Sequence, residues 1–198
     1  VDQSGTYGIT DVSWLNIYDP QAFIIFNPSA TTPAVPNAEA HAGDKFAAAF
    51  ASTTPPNNDW MITPQLGGGG TLSFWAKSFT SDYGLERFKV GVSTGGTNPA
   101  DFTIISGTNF VEAPVEWTEY EYSLEDYEDQ NIRVGIQCVS SDAFIFMVDD
   151  VKITGPVSNG TQVAPFVTAL KGNYPNPFNP ETTIRYSVKD KSPVAIEV

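Results

Sequence analysis

The feature that most constrains this chain is a period of two in its apolar residues. Leu72, Phe74 and Ala76 alternate with Ser73, Trp75 and Lys77, and Phe88, Val90 and Val92 alternate with Lys89, Gly91 and Ser93. Ile132, Val134, Ile136 and Cys138 alternate with Arg133, Gly135 and Gln137 in the same way. Successive side chains of a strand point to opposite faces, so each run reads as a strand with one buried and one wetter face. Residues 144–153 read as a longer strand, apolar on both faces up to Asp149. Gly67 to Gly70, and Thr94-Gly95-Gly96-Thr97-Asn98-Pro99, punctuate these runs as turn formers do. Helical spacing is almost absent, and Leu124-Glu125-Asp126-Tyr127 offers one short helical turn. Short strands separated by frequent turns predict an all-β chain, an antiparallel jelly-roll β-sandwich.

The pattern changes after Ile153. Residues 154–161 hold few apolar side chains and many turn formers, as a domain boundary does. The expected division is a jelly-roll domain over 1–155, a linker over 156–171 and a second, partial β-sandwich unit over 172–198. Pro175, Pro177 and Pro180 exclude a central strand between them, because proline lacks the backbone donor. Alternation resumes over 182–188, and 194–198 begins another strand. Two short strands cannot bury a core by themselves, so this unit is expected to be truncated, unless it docks on the first domain or on a neighbour. Unpaired edges on these strands would invite self-association by strand addition. The start, Val1-Asp2-Gln3-Ser4-Gly5, lacks the basic and apolar regions of a signal peptide and is expected to be a processed or internal start.

Composition narrows the function. Lys and Arg number 10 against 23 Asp and Glu, a net charge of -13. Binding nucleic acid or an anionic bilayer requires clustered cations, so neither partner is expected, and no apolar run approaches the ~20 residues that span a membrane. Cys138 is the single cysteine, which excludes an intrachain disulfide; it shares parity with Val134 and Ile136 and reads as a small buried hydrophobe. His41 is the single histidine and sits by a glycine turn, which favours a structural role over a Ser-His or Cys-His system. Gly67 to Gly70 lacks the Lys-Ser/Thr of a phosphate loop.

Three groups of side chains are candidates for binding. Trp75, Tyr83, Trp117 and Tyr120 could stack a sugar ring, flanked by Lys77, Lys89, Arg133 and Gln137, which share outward parity; ordinary packing between layers is the competing reading. Asn58 and Asp59 precede Trp60 and read as turn residues. Asp149 and Asp150 are neighbours on one strand, so they should face opposite ways and cannot share one substrate as an acid–base pair.

Several segments taken in order carry a family resemblance. They are His41-Ala42-Gly43-Asp44-Lys45-Phe46, Asn58-Asp59-Trp60-Met61-Ile62-Thr63-Pro64, Leu72-Ser73-Phe74-Trp75-Ala76-Lys77, Trp117-Thr118-Glu119-Tyr120 and Val148-Asp149-Asp150-Val151. Together, over roughly residues 10 to 155, the chain resembles the cleaved-adhesin, or choice-of-anchor J, family of jelly-roll domains. The resemblance implies a non-catalytic adhesion module for a glycan or an extracellular protein. It also implies a structural calcium ion, with Asp149 meeting the Gly43-Asp44 turn and a further ligand from Asp11 or Asp19. The acidic Asp-x-Asp-x-Asp-Gly run common near that family's N-terminus is replaced here by Ile17-Tyr18-Asp19-Pro20-Gln21. Residues Asn173-Tyr174-Pro175-Asn176-Pro177-Phe178-Asn179-Pro180, followed by Thr182-Thr183-Ile184-Arg185-Tyr186, resemble the start of a type IX secretion sorting domain. That implies a secreted or cell-surface parent protein. The alternatives are a self-assembling surface protein and the accessory domain of a larger secreted hydrolase.

Overall fold

The computed structural model describes residues 5–35 and 37–155, and the backbone alone for 169–174 and 183–187. The chain divides into two units, Val1–Pro156 and Val157–Val198. The first is a sandwich of two antiparallel sheets. One sheet has the order β1 (Phe23–Phe26), β2 (Phe46–Phe50), β11 (Ile145–Thr154), β5 (Thr71–Ser78), β9 (Thr118–Ser123). The other has β3 (Asp59–Ile62), β10 (Asn131–Cys138), β6 (Glu86–Ser93) and β7 (Thr103–Ile104), with β4 (Leu66–Gly67) added to β10 and β8 (Val111–Ala113) to β6.

The chain order across these sheets is that of a jelly roll. Strands β2, β11, β5 and β9 face β3, β10, β6 and β8, so sequential strands repeatedly cross from one layer to the other as two Greek keys do. The period-two runs fall where the sequence places them, and β5 is buried at every second residue. Leu72, Phe74 and Ala76 of β5, Phe88, Val90 and Val92 of β6, Ile132, Val134, Ile136 and Cys138 of β10, and Phe146 and Val148 of β11 fill the space between the layers. Phe88 lies between Phe74, edge-on at 5.7 Å, and Phe146, stacked at 5.4 Å.

A second core covers the outer face of the first sheet. Phe46, Phe50, Ile145 and Met147 point away from the sandwich interior and meet Phe26, Val35, Ala38 and Trp14. This explains why residues 144–148 are apolar on both faces. The outer face of the second sheet is closed differently. Gly91 of β6 pairs with Gly135 of β10, and a Cβ on Gly135 would fall 2.8 Å from the Trp60 ring and 2.9 Å from Phe102. The two glycines form a trough into which Trp60 and Phe102 settle, 4.7 Å apart.

The described part of the second unit is a hairpin of β12 (Ala169–Tyr174) and β13 (Thr183–Ser187). The strand expected over 182–188 is therefore present, and its partner begins within the stretch expected to be linker. The strand expected with an unpaired edge is paired on one side within the chain. The Pro175–Pro180 part of the motif and residues 194–198 lie outside the described residues.

Candidate functional site

The first candidate region centres on Trp75. Its outward parity is confirmed: on the outer face of the first sheet it pairs with Asp149 of β11 on one side and Glu119 of β9 on the other. It is not a free platform, because the His41 ring stacks on it at 4.0 Å and 14°. Trp117 meets the same imidazole edge-on at 5.8 Å, and its Nε1 donates to the Glu39 carbonyl at 3.2 Å. Lys77 places its ammonium 5.9 Å over the Trp117 ring. These aromatics clamp the loop that precedes β2.

Asp149 and Asp150 complete the clamp, and here the strand rule fails. The register between β11 and β5 shifts between Asp149 and Lys152, leaving one extra residue in β11. Asp150 takes a positive φ of 48°. A bulge of this kind re-aims side chains, and both carboxylates turn to the same loop. Asp149 Oδ2 accepts from the backbone N–H groups of His41, at 3.0 Å, and Ala42, at 3.1 Å. Its Oδ1 accepts from the Asp150 N–H at 2.8 Å. Asp150 Oδ2 lies 2.7 Å from His41 Nδ1.

This geometry bears directly on the calcium ligands that the resemblance implies. Calcium needs six to eight oxygens turned inward on one point. Asp149 instead directs both oxygens at backbone donors, which a cation would have to displace. Asp19 is at the far end of β2: its carbonyl accepts from Thr6 Oγ1, and Thr6 bridges to Ser52, whereas Asp149 aligns with the Phe46 end. Gly43 has a positive φ of 68° and serves the turn. Among the described residues no three His, Cys, Asp or Glu side chains group to hold a metal. The set Asp149, Gly43, Asp44 and Asp19 thus does not fit a calcium cage.

Parity also could not tell which sheet a residue belongs to. Arg133 and Gln137 lie on β10 and Lys89 on β6, on the outer face of the second sheet, so the sandwich separates them from Trp75 and Lys77. Arg133 Nη1 reaches the Thr63 carbonyl at 3.5 Å. Tyr120 points inward and stacks on Phe74 at 5.7 Å. Asn58 Oδ1 accepts from Trp60 Nε1 and Gln137 Nε2, and Asp59 is buried, accepting from Asn57 Nδ2 at 2.7 Å.

Tyr83 alone of the aromatic candidates stands free, 66% exposed. The Gly84 N–H donates to the Ser81 carbonyl at 3.1 Å, and Gly84 has φ 100°, which only glycine adopts at no cost. That turn tips Tyr83 outward. Its ring leans on Phe144 at 6.0 Å, and Phe144 meets Phe79 edge-on at 5.5 Å. It lines an open cleft of about 430 Å³ together with Tyr7, Gly8, Ile9, Thr10, Ala51, Asp142, Ala143 and Phe144.

The walls of this cleft are laced together through the backbone. The Tyr7 N–H donates to the Ala51 carbonyl at 2.9 Å, and the Ala51 N–H donates to the Phe144 carbonyl at 2.8 Å. The Phe144 N–H ends the series on Glu86 Oε1 at 2.7 Å. Glu86 is 2% exposed, and its Oε2 accepts from the Ser140 hydroxyl. Burial holds its carboxyl well above the usual range, at about 7, against the opposing effect of these two hydrogen bonds. Asn57 ties the same corner: its N–H donates to the Ser140 carbonyl and its side-chain amide to the Phe50 carbonyl. Tyr7 carried no local signal, since non-local pairing places it. Glu86 did carry one: it shares the inward parity of Phe88, Val90 and Val92.

With this geometry in place, comparison with known proteins is informative. No family model matches the chain. Over 175 residues, 70% of the chain, it is 27% identical to Hemagglutinin A of Porphyromonas gingivalis (strain ATCC BAA-308 / W83). It is 26% identical over the same length to Lys-gingipain W83 of Porphyromonas gingivalis. The chain spans only 8% and 10% of these relatives. Among solved structures, the K2 cleaved adhesin domain of Lys-gingipain superposes with a TM-score of 0.55 at 17% identity, covering 78% of this chain and 99% of that one. The K1 domain, from Porphyromonas gingivalis W83, gives 0.55 at 18%, covering 78% and 98%. The chain has the fold of a cleaved adhesin domain. The jelly-roll expectation is thereby met, and sequence similarity extends to proteins named as a hemagglutinin and a gingipain.

Proposed function

We propose that this chain is a non-catalytic extracellular binding module, and that its ligand site is the cleft between Tyr7 and Tyr83. The observation that carries this reading is the pair of exposed phenol rings, Tyr7 at 49% and Tyr83 at 66%, on laced walls whose lining also includes Asp142 and Thr10. Binding sites combine apolar and aromatic walls with a few placed polar groups. A flat ring, a hydroxyl and a carboxylate suit the apolar face and hydroxyl rim of a saccharide. The lining holds Asp142 and no cation among the described residues, and the chain carries -13 overall, so a neutral glycan is favoured over an acidic one. Similarity to a hemagglutinin and a gingipain supports an adhesive, extracellular role. The Asn173–Pro180 and Thr182–Tyr186 resemblance supports export by type IX secretion, with the parent protein secreted or held at the cell surface.

The test is a neutral-glycan array followed by calorimetry on the strongest hit. Tyr83→Ala should weaken binding about tenfold, or about 1.4 kcal/mol, while leaving thermal stability nearly unchanged, because the ring is exposed. Trp75→Ala should lower stability through the His41 clamp without altering affinity first. Unchanged affinity in Tyr83→Ala would move the ligand away from this cleft.

A further inference from the structure

We propose that Glu86 is the positioning residue of the Tyr7–Tyr83 cleft, and that gain or loss of its proton sets how firmly the cleft walls are held. The inference rests on reading that cleft as the ligand site. Its first support is connectivity. One wall carries Tyr7, the next Ala51, the third Asp142 to Phe144, and the hydrogen-bond series through them terminates on the Glu86 carboxyl. The other carboxyl oxygen holds Ser140 at the root of the Asp142–Phe144 loop. Glu86 is itself fixed through its own N–H, which donates to Ser78 Oγ at 2.8 Å. One side chain therefore grips both ends of the segment that forms this third wall.

The second support is the lack of charge compensation around it. Cys138 of β10 lies against Ser140, Sγ to Oγ 3.4 Å, and its thiol is held in the neutral form mainly by burial, with Glu86 adding to the effect. Asp59 of β3 adds to it more weakly. Arg87, next along β6, turns to the outer face, where it pairs with Glu112 of β8 at 3.2 Å and lies 4.3 Å over Phe110. Asp142 and Asp82, in the two loops flanking the cleft, are acidic. An ionised Glu86 is thus a dry, uncompensated charge, and opening the 140–144 loop to water relieves it.

The direction follows from linkage. The carboxyl has an ordinary value of 4.5 when solvated and about 7 when the loop is closed, so the closed state binds the proton more tightly. Its hold is complete below about pH 4.5, weakens as pH rises through about 7, and is constant above that.

Hydrogen exchange on the free protein tests this, with rates corrected for the intrinsic pH effect. Protection of amides 140–146 should fall about 100-fold between pH 5 and pH 8. Amides 132–136 of β10, which report global opening, should fall less. Glu86→Gln, which keeps an acceptor for Phe144, should flatten the profile. Ser140→Ala removes a donor to the carboxylate and should carry the fall to higher pH. A flat wild-type profile, an unaltered slope in Glu86→Gln, or an equal fall in β10 would each overturn the proposal. Because exchange is read without ligand, its outcome is independent of the Tyr83→Ala binding result.

Discussion

At the scale of single residues, Asp149 shows how a side chain changes role once its surroundings are known. It was legible as a candidate because it ends the apolar run of its strand and belongs to a segment that carries the family resemblance. Its task was not, since the bulge that turns Asp150 to the same side leaves no mark in an alternating pattern. Asp149→Ala should remove three acceptor contacts to backbone N–H groups and lower stability by about 1–2 kcal/mol, the range for partly solvated hydrogen bonds. The loss should be the same in calcium and in excess chelator, as read by thermal unfolding. A calcium-dependent difference of about 2.7 kcal/mol, expected for an ion held at 100 times its dissociation constant, would restore the metal reading. Glu86 teaches the reverse lesson. Its inward parity was in plain view, yet one charged residue at the head of a strand is ordinarily read as lying just outside it.

At the scale of elements, the period-two runs were enough to locate β5, β6, β10 and β11, because each has one face against the interior. They did not distinguish the two sheets. Trp75 and Arg133 have the same outward sense, and only the strand order shows that they lie on opposite sides of the sandwich. The Gly91–Gly135 pair is the clearest case of a sequence feature whose reason is tertiary. Glycine weakens a strand interior, and here the empty space admits Trp60 and Phe102. Gly135→Val should therefore destabilise the domain by about 2 kcal/mol through overpacking, whereas the same change at Gly95, where a Cβ meets nothing within 4 Å, should be nearly neutral. Chemical denaturation of the two variants makes the comparison.

At the scale of the whole molecule, a jelly roll gathers loops distant in sequence at one end of the sandwich. Residues from 5–10, 79–85 and 139–144 line one cleft this way, and of these segments the sequence marked only 79–85, through Tyr83. The aromatic residues grouped together from the sequence divide accordingly. The Trp75 cluster is scaffold, holding the loop before β2, and the Tyr83 loop is the exposed part. Binding residues are commonly carried on loops set by a rigid frame, and the lacing from Tyr7 to Phe144 supplies that rigidity here.

The interior also contains a built-in clock. Cys138 is fully dry, and its thiol is held protonated by burial and by the acidic groups beside it. Since the thiolate is the reactive species, the native chain can stand in an oxidising medium without offering a sulfur for mixed disulfides. Only molecules that have opened to the core expose it. A maleimide added under native conditions should therefore label the protein no faster than the core beside Ser140 opens, one event per chain, turning its single cysteine into a count of such openings.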